Sequence, residues 1–376
     1  MNFYVDARTL KKTPWRGQQV YVYNILKQMV SLGEAHRFLL HFDSDVKLPE
    51  LDALTSAGNV SKRVHRNRIL AHASIPCEMV RSRSSVYYRM YNEDAQLYTP
   101  IPGKAVALIL DNGKHTFPEH YGRADVVALR ARVNEYIRRF ACFIVISEAV
   151  KSELIALFFL DPASIYVAPP APNLTFKPEQ GGSIPQGVRS DIPFFLIVNP
   201  GYPHKNWYQM LAGFRSYIAS ENLSGKVSLV IAGYLGNQAE GIKQCIQAEP
   251  ELRANAVCLG YVSEAELRYL YKNARAMMML SHYEGFGIPI LEAFSFQLPV
   301  IISDIPVFRE VARDAALYVP IGNVDEVARS LHLIDTDAPL RGQIVARGLQ
   351  LADRYTWRDS AAITLSALES AGLARG

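Results

Sequence analysis

Over the second half of the chain, short uninterrupted apolar runs alternate with stretches of helical pattern. Residues 194–198, Phe-Phe-Leu-Ile-Val, form the first such run, and a helical stretch over 208–220 follows it. Further apolar runs fall at 227–232, 256–259, 276–280, 300–302 and 317–319. Between them, Ser263-Glu264-Ala265-Glu266 has the spacing of a capping box, so a helix is predicted from there to 274. Pro289 suits the first turn of another helix, where its missing N–H costs nothing, and 307–312 is predicted helical as well. Strands that are apolar throughout, rather than at every second position, belong to parallel sheets covered on both faces.

The first half repeats this theme less clearly. Strands are predicted at 3–5, 38–41, 105–110 and 143–146, with helices at 20–32, 125–140 and 148–158. Residues 168–187 are rich in proline and glycine and read as a hinge. The expected architecture is therefore α/β: two doubly wound Rossmann-like domains facing each other across a cleft. Residues 1–175 would form the first domain and 176–350 the second. Residues 351–376 would form a C-terminal helix packing back toward the first domain. Ligands of such sheets sit at the carboxyl ends of the strands.

Composition narrows the class. Hydrophobic residues make up 49% and charged ones 20%, the balance of a globular chain with enough apolar side chains for two cores. No apolar run is long enough to span a membrane, and the N-terminus has no basic segment leading into an apolar one, so neither a spanning helix nor a signal peptide is expected. Cys77, Cys142, Cys245 and Cys258 are scattered, which points to a reduced, cytoplasmic setting. The net charge is +4, but residues 62–89 gather Lys62, Arg63, Arg66, Arg68, Arg81, Arg83 and Arg89 around a single acid, Glu78, next to Tyr87, Tyr88 and Tyr91. Such a stretch is either a solvated face or a patch for an anionic membrane surface or a phosphate-bearing acceptor. No nucleic-acid motif accompanies it, and nucleic acid is set aside as a partner.

The segment richest in chemistry is Glu284-Gly285-Phe286-Gly287-Ile288-Pro289-Ile290-Leu291-Glu292. Gly285 and Gly287 let the backbone approach a ligand, and the free N–H groups of a helix starting at the proline suit a diphosphate. Glu292 falls in the first turn of that helix, where a carboxylate is favoured and accepts hydrogen bonds from sugar hydroxyls. Two glutamates beside a turn also serve as ordinary capping and surface residues. The pairs Asp43/Asp45 and Asp335/Asp337 have the Asp-x-Asp spacing of metal-dependent transferases, but neither ends an active-site strand, and both read as loop carboxylates.

This segment resembles the Glu-x7-Glu signature of retaining family-4 glycosyltransferases. The order of its surroundings is similar too: Leu259-Gly260-Tyr261-Val262-Ser263, Leu270-Tyr271, Ser281-His282-Tyr283, the run Ser303 to Glu310, and Trp357 near the end. The resemblance covers about 194–357 and is fainter before that. It implies a two-domain fold of the GT-B type and metal-independent transfer of a hexose with retention. The acceptor would be a saccharide or a lipid-linked saccharide, in surface polysaccharide synthesis. The nucleotide-diphosphate sugar is the donor substrate, and no cofactor is implied.

The resemblance also implies roles. Glu284 would lie beside the donor sugar and Glu292 on the nucleotide ribose. Lys205, with His204 next to it, would neutralise the leaving diphosphate. Gly285, Phe286, Gly287, Ile288 and Leu291 would hold sugar and phosphate in the nucleotide-sugar domain, and Tyr261 and Val262 would border the base. In the acceptor-side domain Gly17 matches the first of a pair of donor-side glycines, the second of which approaches the diphosphate. Asp111 would be catalytic and His115 would touch the acceptor.

The pattern breaks in three places: Val198-Asn199-Pro200-Gly201-Tyr202-Pro203 carries no second basic residue before Lys205, Gln19 replaces a glycine, and Leu110 replaces a histidine. GDP-mannose is the first expectation for the donor, with other GDP-, UDP- and dTDP-sugars open. A catalytically weak sugar-nucleotide-binding partner subunit is the alternative. An epimerase or phosphorylase on the same fold finds no motif of its own.

Overall fold

The structure, a computed structural model, describes residues 1–10, 17–42, 45, 48–65, 77, 79, 85–90, 104–120, 140–173 and 179–373. The chain divides into two compact units, Met1–Pro170 with Thr356–Gly376, and Ala171–Tyr355. The second unit thus begins inside the proline- and glycine-rich stretch.

In the first unit, β1 (Asn2–Asp6), α1 (Gly17–Leu32), β2 (Arg37–Phe42), α2 (Pro49–Thr55), β3 (Val60–Val64), β4 (Ser85–Arg89), β5 (Lys104–Ile109), α3 (Gly113–Thr116), β6 (Cys142–Val145), α4 (Glu148–Phe158) and β7 (Ile165–Val167) follow in order. The strands pair in parallel, in the order β3-β2-β1-β4-β5-β6-β7. Apolar residues fill both faces of the inner strands, as in Val106, Ala107, Leu108 and Ile109 of β5, all buried. Burying apolar surface in this way is the main force that holds such a sheet between its helices.

The second unit contains β8 (Phe194–Val198), α5 (Trp207–Ser220), β9 (Ser228–Ala232), α6 (Ala239–Ala248), α7 (Pro250–Asn255), β10 (Ala256–Gly260), α8 (Glu264–Asn273), β11 (Met277–Met279), α9 (Ile288–Ser295), β12 (Val300–Ser303), α10 (Pro306–Ala312), β13 (Leu317–Val319), α11 (Val324–Thr336) and α12 (Ala338–Ala352). Its parallel sheet runs β10-β9-β8-β11-β12-β13. Both units are therefore doubly wound, and in each the direction of winding reverses between the first and fourth strands, β1/β4 and β8/β11. The last helix, α13 (Trp357–Leu373), belongs to the first unit, where buried Trp357 meets Tyr21 of α1 edge-on at 5.7 Å.

The apolar runs of the second half all appear as strands, and the Ser263/Glu266 capping box forms in full, with Glu266 N–H on Ser263 Oγ at 3.2 Å and Ser263 N–H on Glu266 Oε2 at 2.7 Å. Strands β3, β4 and β7 and helices α2, α3, α6, α7, α11 and α12 extend the predicted set. β3, Val-Ser-Lys-Arg-Val, is an edge strand, whose polar positions carry none of the apolar run expected of a parallel strand. The helix predicted over 125–140 lies, but for its last residue, outside the described residues.

The basic stretch requires a correction. Tyr87, Tyr88 and Arg89 are not a surface patch: they form β4 in the middle of the sheet, at 3%, 0% and 8% exposure. β4 pairs with β1 so that Asp6 lies opposite Arg89, and the Tyr87 hydroxyl donates to Asp6 Oδ2 at 3.1 Å. Lys62 donates to Asp45 at 2.8 Å, and Arg63 ends up exposed on β3. Arg66, Arg68, Arg81, Arg83 and Tyr91 lie outside the described residues.

Candidate functional site

The second unit assembles its polar side chains where the sheet's winding reverses. β8 and β11 are neighbours there, and the loops leaving their carboxyl ends carry Lys205 and Glu284. A crevice at such a point is where open α/β sheets bind ligands. The β8 loop is held in place by backbone contacts. Gly201 N–H donates to the Tyr234 carbonyl at 2.9 Å, and a side chain at Gly201 would strike the backbone of Leu235 at 2.3 Å. A tight turn over Pro203–Lys205 follows, closed by Asn206 at φ +52°. His282 N–H, from the β11 loop, donates to the His204 carbonyl at 2.7 Å and ties the two loops together.

Lys205 and Glu284 meet across this tie. The Lys205 ammonium donates to Glu284 Oε1, and the buried Ser281 hydroxyl donates to the same oxygen at 2.7 Å. Lys205 is 16% and Glu284 13% exposed, so each charge is largely withdrawn from water and paired. Burial pushes the Glu284 carboxyl up, but the charges of Lys205 and His204 and the two hydrogen bonds outweigh it and hold it below the usual range. Glu284 is thus a fixed carboxylate rather than an acid.

Beyond it, the Gly-rich turn runs into α9. Gly287 has φ +106°, and a Cβ there would sit 2.9 Å from the Phe308 ring, so both conformation and space require glycine. Gly287 caps α9, Pro289 occupies its first turn, and Gly285 and Ile288 flank the bend. Pro289 has no N–H and the Ile290 N–H donates to the Gly287 carbonyl at 2.9 Å, so it is the helix dipole, positive at this end, that favours an anion there. The Phe286 side chain is buried, edge-on to Tyr355 at 5.4 Å, which leaves its backbone for any ligand contact.

Leu291 corrects the expectation of a donor-side residue, because its side chain is fully buried in the core. Glu292 lies one turn into α9 and accepts from the Tyr271 hydroxyl at 3.0 Å. Burial raises the Glu292 carboxyl to about 7, against that hydrogen bond, so the two glutamates of one motif differ in charge near neutrality.

Tyr261, 58% exposed, and half-buried Val262 follow β10. Tyr261 is one of three tyrosines at the ends of adjacent strands, a grouping that no sequence motif announces. Tyr202 stacks on His204 at 5.6 Å and contacts Tyr234 at 5.1 Å, and Tyr234 meets Tyr261 edge-on at 6.4 Å. These three residues are far apart in the sequence, and only the order of β8, β9 and β10 places them side by side.

The remaining predicted residues are in the first unit. Gly17 opens α1, and Asp111 Oδ1 accepts from Gly113 N–H at 2.9 Å, shaping the start of α3. His115, on α3, packs edge-on against Phe158 at 5.2 Å. At this unit's winding reversal, Arg8 grips buried Asp6 through two hydrogen bonds of 2.7 and 2.6 Å. Burial raises the Asp6 carboxyl, but Arg8 and the Arg89 charge outweigh that and keep it low.

Of the Asp-x-Asp pairs, Asp43 lies outside the described residues and Asp45 pairs with Lys62. Asp335 accepts from the Tyr217 hydroxyl at 2.5 Å, and Asp337 caps α12 by accepting from Leu340 N–H at 2.9 Å. Among the described residues no group of three or more His, Cys, Asp and Glu side chains is placed to hold a metal ion.

Residues 184–350 match the family described as glycosyl transferases group 1. The chain is 27% identical over 273 residues to O-antigen chain mannosyltransferase B of Escherichia coli, covering 70% of each protein. It is 32% identical over 181 residues to the serotype-specific mannosyltransferase WbdA of Escherichia coli, but that match covers 47% of this chain and only 21% of the relative. Over 126 residues it is 38% identical to the O-antigen chain mannosyltransferase RfbU of Salmonella typhimurium, 34% of each.

Among solved structures, WaaG, a glycosyltransferase involved in lipopolysaccharide biosynthesis, superposes with a TM-score of 0.70 at 14% identity, over 98% of this chain and 99% of WaaG. Anabaena Alr3699/HepE, in complex with UDP and glucose, gives 0.69 at 16%, over 98% and 99%. The fold is that of the GT-B glycosyltransferases, and residues 184–350, which hold Lys205, Glu284 and Glu292, match the glycosyl transferases group 1 family.

Proposed function

We propose that this chain is a retaining glycosyltransferase that moves a hexose from a nucleotide-diphosphate sugar to a saccharide or lipid-linked saccharide acceptor in polysaccharide synthesis. GDP-mannose is the first donor to try, because O-antigen mannosyltransferases are among the relatives. The observation that carries this reading is the meeting of Lys205, Ser281 and Glu284 between the β8 and β11 loops, beside the Gly-rich start of α9.

The chemistry follows from charge. As the bond to the anomeric carbon breaks, negative charge grows on the leaving diphosphate and positive charge on the sugar ring. Lys205 and the positive end of the α9 dipole are fixed in place for the first, and such preorganised stabilisation is commonly the largest single contribution to catalysis. Glu284, held ionised, serves the sugar side, and Glu292 takes the ribose hydroxyls. Tyr261 and Val262 border the base, with Tyr202 and Tyr234 extending an aromatic surface beside them. Gly17, Asp111 and His115 belong to the acceptor-side unit in this reading.

No described helix is long and apolar enough to cross a membrane. Contact with an anionic membrane surface would rest on Lys62, Arg63 and the cations beyond the described residues, and salt-dependent sedimentation with anionic vesicles tests it.

Thermal shift with GDP-, UDP- and dTDP-sugars tests the donor assignment. A donor at about 100 times its dissociation constant stabilises by roughly 2.7 kcal/mol. Product from the donor that binds, followed by NMR, should keep the donor's anomeric configuration. Inversion, or stabilisation by none of the sugars, would contradict the proposal.

A further inference from the structure

Tyr271 stands on α8, outside the Gly-rich turn, and is fully buried. Its ring packs against Phe296, the residue that ends α9, with centroids 5.6 Å apart, while its hydroxyl donates to Glu292 Oε2 at 3.0 Å. One side chain therefore braces the end of α9 and the carboxylate near its start. Phenylalanine would fill the same core volume without the expense of burying a hydroxyl, so the hydroxyl's visible work is on Glu292.

A carboxylate has two oxygens and about four acceptor directions. Tyr271 takes one direction on Oε2, and Oε1 receives no donor from the described residues. We propose that Tyr271 is a positioning residue that fixes the Glu292 carboxylate so that its free acceptor directions receive the vicinal hydroxyls of a nucleotide ribose. The inference rests on the nucleotide-sugar reading above and adds to it the group that sets ribose recognition.

Tyr271 is the titratable group that faces Glu292 among the described residues. Burial and the neighbouring carboxylate push its phenol well above the usual value, so it remains a donor at every physiological pH. The bond thus persists while Glu292 itself titrates near 7. Ionised Glu292 accepts from both ribose hydroxyls, so ribonucleotide affinity should fall as pH drops below that value.

The test is calorimetric affinity of wild type, Tyr271→Phe and Glu292→Ala for GDP and UDP and for their 2′,3′-dideoxy counterparts. Wild type should favour the ribose form of the nucleotide it binds by about tenfold or more, as expected for hydrogen bonds to a charged group. Tyr271→Phe should lose most of that preference with dideoxy affinity unchanged, because the ring still packs. An unchanged preference in Tyr271→Phe, or an equal loss for both forms, overturns the positioning role. Binding that Glu292→Ala leaves intact overturns ribose recognition at Glu292 while the transferase reading stands. A wild-type protein that binds neither GDP nor UDP overturns that reading as well.

Discussion

Lys205 and Glu284 lie 79 positions apart in the sequence and share a hydrogen bond in the fold. The bond spans the point where the second sheet reverses its winding, so a lysine assigned to the leaving phosphate and a glutamate assigned to the sugar hold each other in position. Lys205→Ala should lower turnover on the order of a hundredfold at saturating donor, the usual effect of removing one fixed stabiliser of developing charge. It should also let the Glu284 carboxyl rise, since the lysine's charge is the strongest influence holding it down. The acid side of the pH–activity profile would then move to higher pH. A loss under threefold with an unmoved profile would assign the role to another cation.

Gly287→Ala tests the turn that aims α9. The left-handed backbone resists the change, and so does the Phe308 ring, which a Cβ at this position would approach to 2.9 Å. Such strain costs about 1–3 kcal/mol. Denaturant unfolding should show that loss, and donor affinity should fall with it. Wild-type stability would mean that the turn relaxes and does not set the helix start.

Glu292 makes a prediction about stability against pH. Its folded value of about 7 lies above its ordinary 4.5, so between those values the folded protein keeps a proton that the unfolded chain releases. The contribution is complete below 4.5 and is lost as pH rises through 7. Glu292→Gln removes this dependence. Its melting temperature relative to wild type should therefore rise from pH 5 to pH 8, and a constant difference would contradict the raised value.

What the sequence made legible follows from which interactions are local. Apolar runs and the Ser263 capping box act over a few residues, and they appear in the fold as read. The Glu284–Glu292 segment is likewise one short turn and helix start, so its local geometry could be read in order. The tyrosines at 202, 234 and 261 come together only through the order β10-β9-β8, which no local pattern encodes. Leu291 misleads because it sits between site residues in sequence, while the helix turns its side chain into the core. Tyr87-Tyr88-Arg89 misleads in the opposite way. Arg89 beside a basic run reads as surface, and only pairing with β1 reveals the buried Asp6 opposite it.

Arg89→Ser accordingly tests the fold rather than a membrane contact. Asp6 would keep Arg8 but lose a second nearby cation, at a cost of about 1–3 kcal/mol. Arg63→Ser, on an exposed position, should change stability little. Comparable stability of the two variants would show that Arg89 is not needed beside Asp6.

The central claim is that the carboxylate held by Lys205 and Ser281 drives sugar transfer. The most direct measurement is nucleoside-diphosphate release from a panel of GDP-, UDP- and dTDP-sugars, by wild type and by Glu284→Ala, with circular dichroism confirming that both are folded. Wild type should release nucleoside diphosphate from at least one donor, and the variant none above background. Equal release by the two proteins, or none by wild type from any donor that stabilises it, would contradict the account.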